Sequence, residues 1–423
     1  GGLIGAYQPG RFQRGNIDDD LRSHGVLGVG NKLQYLYDAS EDLGGRLKRD
    51  KVWFYVALRQ QNKAGNVANY FTDAVLGPNG LEGNGISKLD KHPVTNQTAK
   101  VSYQMTDNYR LIGFIQRTTK NLESQTAENQ QAGPPFTPHA SSRSLLYTPT
   151  PMKVEVQGTL SEQLLFTAQL GYQNLDASWR AQDGTDVPGN PAQRDLFTGW
   201  SRGPNIGAAT HLIRQRWEPR GDLTYVPNGG FLGKHQVKAG FYIDFIRAGS
   251  PTEGRCANPG ASGEPYCSGN YTLLFNRIGG QPFRPFQIQI DNSPVTGANV
   301  RLLDTSFYVK DQWQIGQRLT ANIGMRLERY HSYVVAVEKP VGQFSEAGSF
   351  PEVDVLTWFS AAPRVGVAYD LTGTGKTVIK GTWGWYNWTM GDTTFAGQFD
   401  KNGRVVSTYN WSGPCVATSY TPC

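Results

Sequence analysis

The feature that most constrains the fold of this chain is an alternation of apolar and polar residues with a period of two. Between residues 319 and 328, Leu319, Ile323 and Leu327 share one face with two other apolar residues, and the intervening positions are polar or glycine. A period of two is that of a β-strand with one apolar and one polar face. The same alternation recurs at residues 99–105, 152–160, 164–173 and 237–245. The sequence therefore predicts an all-β protein.

The predicted strands are longer than those of most globular proteins. Several run for about ten residues or more, against a usual length of about 5–6 residues. A tilted strand needs about 9–11 residues to cross a membrane. About 12–14 strands are expected along the chain. No run of about 18 apolar residues occurs, so the sequence predicts no transmembrane helix.

The connections between the predicted strands alternate between short and long. The short ones fall at residues 106–108, 161–163, 316–318 and 372–375, and the long ones at about 121–149, 182–206, 250–300, 336–358 and 390–423. This asymmetry is typical of outer-membrane β-barrels, in which the turns are periplasmic and the long loops extracellular. Aromatic residues near strand ends, among them Trp217 and Trp313, fit the girdles of such barrels, although aromatics also favour strands in general.

Composition and motifs exclude several other classes. Aromatic residues make up 12% of the 423 residues, too many for a disordered chain. The net charge of +6 is spread without a long basic run, which argues against nucleic-acid binding. No Gly-x-Ser-x-Gly motif is present, and Gly375-Lys376-Thr377 lacks both the first glycine and the helix of a phosphate-binding loop. We therefore expect neither an enzyme nor a bound cofactor.

The four cysteines fall in two close pairs, Cys256 with Cys267 and Cys415 with Cys423. Neither pair has the Cys-x-x-Cys spacing of a metal site, and no histidine lies beside either pair. We expect no metal site here, and instead two local disulfides that staple loops in an oxidising compartment.

A hairpin at residues 305–330 resembles a recurrent barrel hairpin of TonB-dependent outer-membrane receptors. Nine residues match that motif position by position: Asp311, Trp313, Leu319, Thr320, Asn322, Gly324, Arg326, Glu328 and Tyr330. Residues 363–370 with 377–381 resemble the next hairpin of the same family. Residues 44–55 resemble an early barrel hairpin of its Oar-like branch. Together these three stretches place the resemblance over most of the chain.

The resemblance implies a transmembrane antiparallel up-and-down β-barrel of about 22 strands. It also implies a plug, coupling to the TonB-ExbB-ExbD system, and import of a scarce ligand across a Gram-negative outer membrane. The ligand class stays open among siderophores, cobalamin, oligosaccharides and peptides. Nothing before Gly44 looks like a plug, and residues 421–423 read as a loop. Residues 1–423 are therefore expected to be a single unit, an incomplete barrel without the plug and last strands.

Two sets of candidate functional residues follow. In a barrel with an apolar outer face, the alternating polar residues face the lumen. The charged residues expected there are Lys238, Asp244, Lys310, Arg326, Glu328 and Arg364. Aromatic residues of the long loops are candidates for ligand contact, with loop packing as the alternative. These are Tyr266, Tyr271, Trp411 and Tyr420.

Two other functions remain as alternatives to active import. A porin-like barrel without a plug would be a passive channel, whose inward charges set ion selectivity. A surface β-rich protein used for adhesion or structure is the second alternative, which strand length and one-sided long loops disfavour. Outer-membrane lipid is the expected surroundings in the first two cases. Other outer-membrane proteins are further candidate partners.

Overall fold

The structure is a computed structural model of the chain. It describes residues 1–15, 17–26, 30–124, 136–185, 190–204, 209–229, 232–253, 271–277, 284–292, 294–387 and 395–411. The candidate residues Tyr266 and Tyr420 and all four cysteines lie outside these described residues.

Almost all regular structure in the described residues is β-strand. In chain order the strands are β1 Gly2–Pro9, β2 Lys32–Lys48, β3 Val52–Phe71, β4 Ala74–Gly77, β5 Gly80–Gly83, β6 Ser87–Gln104, β7 Tyr109–Leu122, β8 Arg143–Tyr147, β9 Thr150–Ser161, β10 Leu164–Ala181, β11 Ala192–Asp195, β12 Ser201–Arg202, β13 Ala209–Tyr225, β14 Lys234–Gly249, β15 Thr252–Glu253, β16 Tyr271–Asn276, β17 Arg284–Asp291, β18 Val300–Ile315, β19 Leu319–Val334, β20 Val337–Lys339, β21 Gly348–Phe350, β22 Val353–Asp370, β23 Val378–Gly384 and β24 Val406–Asn410. The helices are one α-helix, Asp19–Ser23, and the 3-10 helices Gly10–Phe12, His139–Ser141 and Ala396–Phe399. None of these helices is long and apolar enough to cross a membrane.

The long strands form one antiparallel sheet, which we call the wall sheet. Its order is β1-β2-β3-β6-β7-β8-β10-β13-β14-β18-β19-β22-β23, so each strand pairs with the next long strand of the chain. Strand β9 lies with β8 between β7 and β10, and the two together occupy a single place in this order. The expected antiparallel up-and-down arrangement is confirmed, and the wall sheet has 15 strands among the described residues, 13 of them in this order.

The register of the wall sheet separates an apolar from a polar face. Phe241 on β14 lies opposite Phe307 on β18, which lies opposite Leu327 on β19. Phe307 is 59% exposed and Leu327 is 55% exposed. The face that carries them, the outward face, is therefore an apolar surface without cover. On the opposite, inward face Ser306 and Asp304 are both buried. This arrangement is the reverse of a water-soluble protein and is what a lipid-facing sheet requires.

The two ends of the wall sheet differ as the sequence predicts. At one end the strands are joined by short turns, such as residues 316–318 between β18 and β19. Asp370 closes the turn after β22, where its carboxylate accepts hydrogen bonds from the backbone N–H groups of Gly373 at 3.0 Å and Gly375 at 2.8 Å. The other end carries the long connections, and we call it the long-loop end.

Connections at the long-loop end fold into a second layer, which we call the external layer. It contains a five-stranded sheet of order β12-β11-β16-β17-β24 and the hairpin β4-β5. Strands β11 and β16 pair in parallel. The layer has its own apolar core, formed by Phe71, Ala74, Leu81, Trp200, Leu273 and Phe275. Because these residues come from distant connections, their burial holds several loops in one folded unit.

Candidate functional site

The inward face of the wall sheet carries a network of paired charges. Nε of Arg216 donates to Oδ1 of Asp244 at 2.7 Å, across strands β13 and β14. The same guanidinium lies 3.3 Å from Oε1 of Glu218. That oxygen also accepts a hydrogen bond from the Tyr242 hydroxyl at 2.9 Å. One arginine is therefore held by two carboxylates on neighbouring strands.

Two further ion pairs continue the network. Nζ of Lys238 lies 2.6 Å from Oδ1 of Asp222. Arg326 pairs with Glu328 on the same face of β19. The other carboxylate oxygen of Glu328 accepts hydrogen bonds from Asn387 at 3.1 Å and from the Ser360 hydroxyl at 3.3 Å. In each pair the two opposite charges compensate each other. This matters because an unpaired charge in a partly buried site would be costly.

These groups surround a cavity of about 790 Å³ on the inward face. Of the six charged residues that the sequence places in the lumen, five line this cavity: Lys238, Asp244, Arg326, Glu328 and Arg364. Lys310 lines a neighbouring hollow of about 540 Å³, which shares Lys238 and Arg326 with the first. The structure thus brings all six residues to one region. Their part in transport stays a prediction.

Several lining residues were missed by sequence reasoning. They are Glu155, Arg216, Arg220, Asp222, Tyr242, Asp304 and Tyr308. The signal for β13 was present, because charged residues recur at every second position from 214 to 222. Pro219 and Gly221 stand on the other face of that strand and weaken its apolar alternation. Asp304 Oδ1 is buried and has no hydrogen-bond partner among the described residues.

Two of the lumen candidates lie over aromatic rings, Arg326 over Tyr242 and, at the shorter distance, Arg364 over Tyr386. The Cζ of Arg364 is 4.6 Å from the ring centroid of Tyr386, a cation–π distance. Tyr386 is 73% exposed. Both residues of this pair line the neighbouring hollow of about 540 Å³, beside β23. An exposed ring carrying a guanidinium is a surface to which a planar or anionic group can bind.

The two described aromatic loop candidates both belong to the external layer. Tyr271 begins β16, packs against the core of that layer and meets Phe344 edge-on with centroids 6.2 Å apart. Trp411 follows β24, and its backbone N–H donates to the Phe286 carbonyl at 2.9 Å. These contacts agree with the loop-packing alternative. Ligand contact by either residue stays a prediction.

A buried polar cluster joins the external layer to the wall sheet. Tyr70 near the end of β3 donates its hydroxyl hydrogen to Ser124. Nδ1 of His139 lies 3.0 Å from both hydroxyl oxygens. Burial, aided by the charge of Lys88, lowers the pKa of His139 to about 4. The imidazole is therefore neutral at pH 7 and available as a hydrogen-bond acceptor.

Comparison with known proteins relates this architecture to outer-membrane proteins. Among solved structures, the outer membrane transporter YddB from Escherichia coli is similar with a TM-score of 0.55 and 12% identity, over 87% of this chain and 50% of that chain. The ferric yersiniabactin uptake receptor FyuA from Yersinia pestis gives a TM-score of 0.45 and 8% identity, over 79% of this chain and 42% of that chain. The ferric citrate transporter FecA gives a TM-score of 0.41 and 12% identity, over 81% and 40%. No curated protein matches the sequence.

At this low identity, the similarity to YddB shows a shared fold. The chain spans about half the length of these solved structures. The family itself is shown by sequence, because a family model described as outer membrane beta barrel domain matches residues 59–422. That match confirms the predicted barrel architecture and the bacterial outer membrane as its location, whereas the Oar-like branch stays a prediction. The chain belongs to the outer membrane beta barrel domain family.

Proposed function

We propose that this chain forms part of the barrel wall of an outer-membrane receptor. The receptor imports a scarce ligand with energy from the TonB system. The observation that carries the proposal is the network of inward charges around the cavity of about 790 Å³. In an open pore such inward charges would instead set ion selectivity. A wall that holds a plug needs ordered hydrogen-bonding groups facing inward.

The network has features suited to contact with a plug. Asp304 retains a buried carboxylate oxygen without a partner in the described part of the chain. Arg364 forms a cation–π contact with Tyr386, and a guanidinium in such a contact keeps its N–H donors for another partner. Both residues line the same cavity. A plug that presented a hydrogen-bond donor to Asp304 and an acceptor to Arg364 would give both side chains a further hydrogen-bond partner.

The external layer supports the ligand-capture part of the proposal. Loops that carry function are usually held on a rigid scaffold. Here the apolar core of the external layer, which includes Leu81 and Leu273, holds together long connections at the long-loop end of the wall sheet. The ligand class remains open among siderophores, oligosaccharides, peptides and similar scarce solutes. The proposed coupling to TonB, ExbB and ExbD rests on the resemblance of residues 305–330 to a hairpin of TonB-dependent receptors.

Single-channel recording of the native protein tests this proposal against the passive channel. Protein extracted from outer membranes would be inserted into planar bilayers, with purified periplasmic domain of TonB as a separate binding probe. A plugged receptor is expected to be silent and to bind the TonB domain. Steady ion conduction with no TonB binding would replace the proposal with the porin-like channel. Silence without TonB binding would leave neither transport function standing and would favour a surface structural role.

A further inference from the structure

Two arginines face each other on the outward surface of the wall sheet. Arg247 on β14 lies directly opposite Arg301 on β18 in the antiparallel register. Cα atoms of such cross-strand neighbours are about 4.5–5.5 Å apart. Like charges directly opposite each other destabilise a sheet, and the charge of Arg247 acts on the guanidinium of Arg301. The pair therefore requires an explanation outside ordinary strand pairing.

The height of this arginine pair on the barrel wall follows from the outward-facing residues on the neighbouring strands. One step toward the short-turn end, the outward face carries Trp217, Phe245, Leu303 and His331 across β13, β14, β18 and β19. Further steps bring Phe307 and Leu327 of the apolar band. The arginines thus stand just above the upper aromatic edge of the lipid-facing surface. In an outer-membrane barrel this is the level of the extracellular head groups.

The two guanidinium groups have free capacity for an anion. Nη1 of Arg301 donates to the carbonyls of Ala298 and, at 3.1 Å, Val300. These contacts leave its Nε and Nη2 donors without a partner among the described residues. Neither Arg247 nor Arg301 forms an ion pair with a carboxylate of the described residues. Asp354 on β22 lies opposite Tyr333, one strand farther from Arg301. Its carboxylate contacts His331, at 3.2 Å.

Neighbouring side chains extend the site along β19. Tyr333 lies opposite Arg301, so its hydroxyl adds a donor to the row. Arg329 lies four residues back along β19, about 13 Å toward the membrane centre at the usual rise per residue. Its Cζ is 5.8 Å from the ring centroid of Phe359, which is 75% exposed. A long side chain of this kind can extend along apolar surface toward the head-group level.

We propose that Arg247 and Arg301 together bind a phosphate group of the phosphorylated glycolipid that forms the outer leaflet of the outer membrane. A phosphate between them neutralises the facing charges and accepts a fork of N–H donors from each. Tyr333 adds a donor to the same phosphate, and Arg329 with Phe359 contacts the same lipid below it. This site is on the lipid side of the wall, so it is independent of the transported ligand.

The test compares lipid binding by the double variant Arg247→Gln/Arg301→Gln with that by the unaltered protein. The control is Lys234→Gln/Arg318→Gln, which removes the same charge at the short-turn end. Each protein, extracted from outer membranes into detergent, would be titrated with diphosphorylated lipid A and examined by native mass spectrometry. We expect affinity about tenfold lower or more in the first variant and unchanged affinity in the control. Heat-modifiable gel mobility would verify that each barrel is folded.

Two additional probes identify the source of the phosphate. Dephosphorylated lipid A should bind the unaltered protein as weakly as lipid A binds the double variant. Equal binding of the two lipids, or equal loss in the control, would overturn the proposal. Inorganic phosphate should compete poorly, because it lacks the acyl chains that lie on the apolar band. If inorganic phosphate displaced lipid A at equal concentration, the site would be a free-anion site and the assignment to a glycolipid would be wrong.

Discussion

Arg216 and Asp244 form a diagonal ion pair across two strands of the wall sheet, with Nε 2.7 Å from Oδ1. Arg216 lies opposite Ile246 in the register, so the carboxylate reaches it from two residues along β14. Diagonal neighbours of this kind are within reach of long side chains. The pair is thus a product of strand register, and it reports on whether β13 and β14 are aligned as described.

Replacing Asp244 with Asn should destabilise the barrel by about 1–3 kcal/mol, because Arg216 loses a charged partner in a largely buried site. The measurement is the free energy of unfolding in urea, with the protein in lipid vesicles. Gln312→Ala, at an exposed inward position of β18, is the matched control and should change little. Combining Asp244→Asn with Arg216→Gln should cost less than the sum of the single changes. Strict additivity would show that the two side chains do not interact.

The lipid-facing register can be tested with Leu327, which is 55% exposed on the outward face between Phe307 and Ala361. Leu327→Arg should cost about 2–4 kcal/mol near the bilayer midplane and reduce assembly in the outer membrane. Asn322→Arg introduces the same residue on the inward face of the same strand and should be tolerated far better. Heat-modifiable mobility of membrane-extracted protein measures assembly. Similar losses at both positions would contradict the assignment of the two faces.

The alternation at residues 319–328 was sufficient to predict both faces of β19, because each outward residue there is apolar and each inward one is polar or glycine. The same reasoning found five of the residues around the main cavity. It missed Arg216 and Asp222, since Pro219 and Gly221 interrupt the apolar pattern of β13. The pairing of β11 with β16 could not be predicted, because it depends on tertiary contacts between distant loops.

Acidification should loosen the external layer around His139. The folded protein holds the pKa of this imidazole at about 4 through burial, whereas an unfolded histidine has a pKa of about 6.5. The unfolded state therefore binds more protons between these values, and the stabilisation present above pH 6.5 is lost as the pH falls toward 4. Hydrogen exchange of residues 136–142 should accelerate from pH 7 to pH 5 after correction for intrinsic rates.

A His139→Gln variant provides the control for this pH dependence. Gln keeps a hydrogen-bond acceptor near Tyr70 and Ser124 but does not titrate in this range. Exchange in the variant should be faster than in the unaltered protein at pH 7 and should change less between pH 7 and pH 5. An equal acceleration in both proteins would assign the effect to groups other than His139.

The prediction of two loop disulfides is tested by thiol labelling of protein freshly isolated from outer membranes. Cys256 with Cys267 and Cys415 with Cys423 are separated by short loops, and an oxidising compartment favours pairing of such neighbours. We expect no labelled thiol before reduction and four labelled thiols after reduction and denaturation. Peptide mapping without reductant should recover Cys256 linked to Cys267 and Cys415 linked to Cys423. Four reactive thiols in the native protein would reject both disulfides, and crossed linkages would reject only their local character.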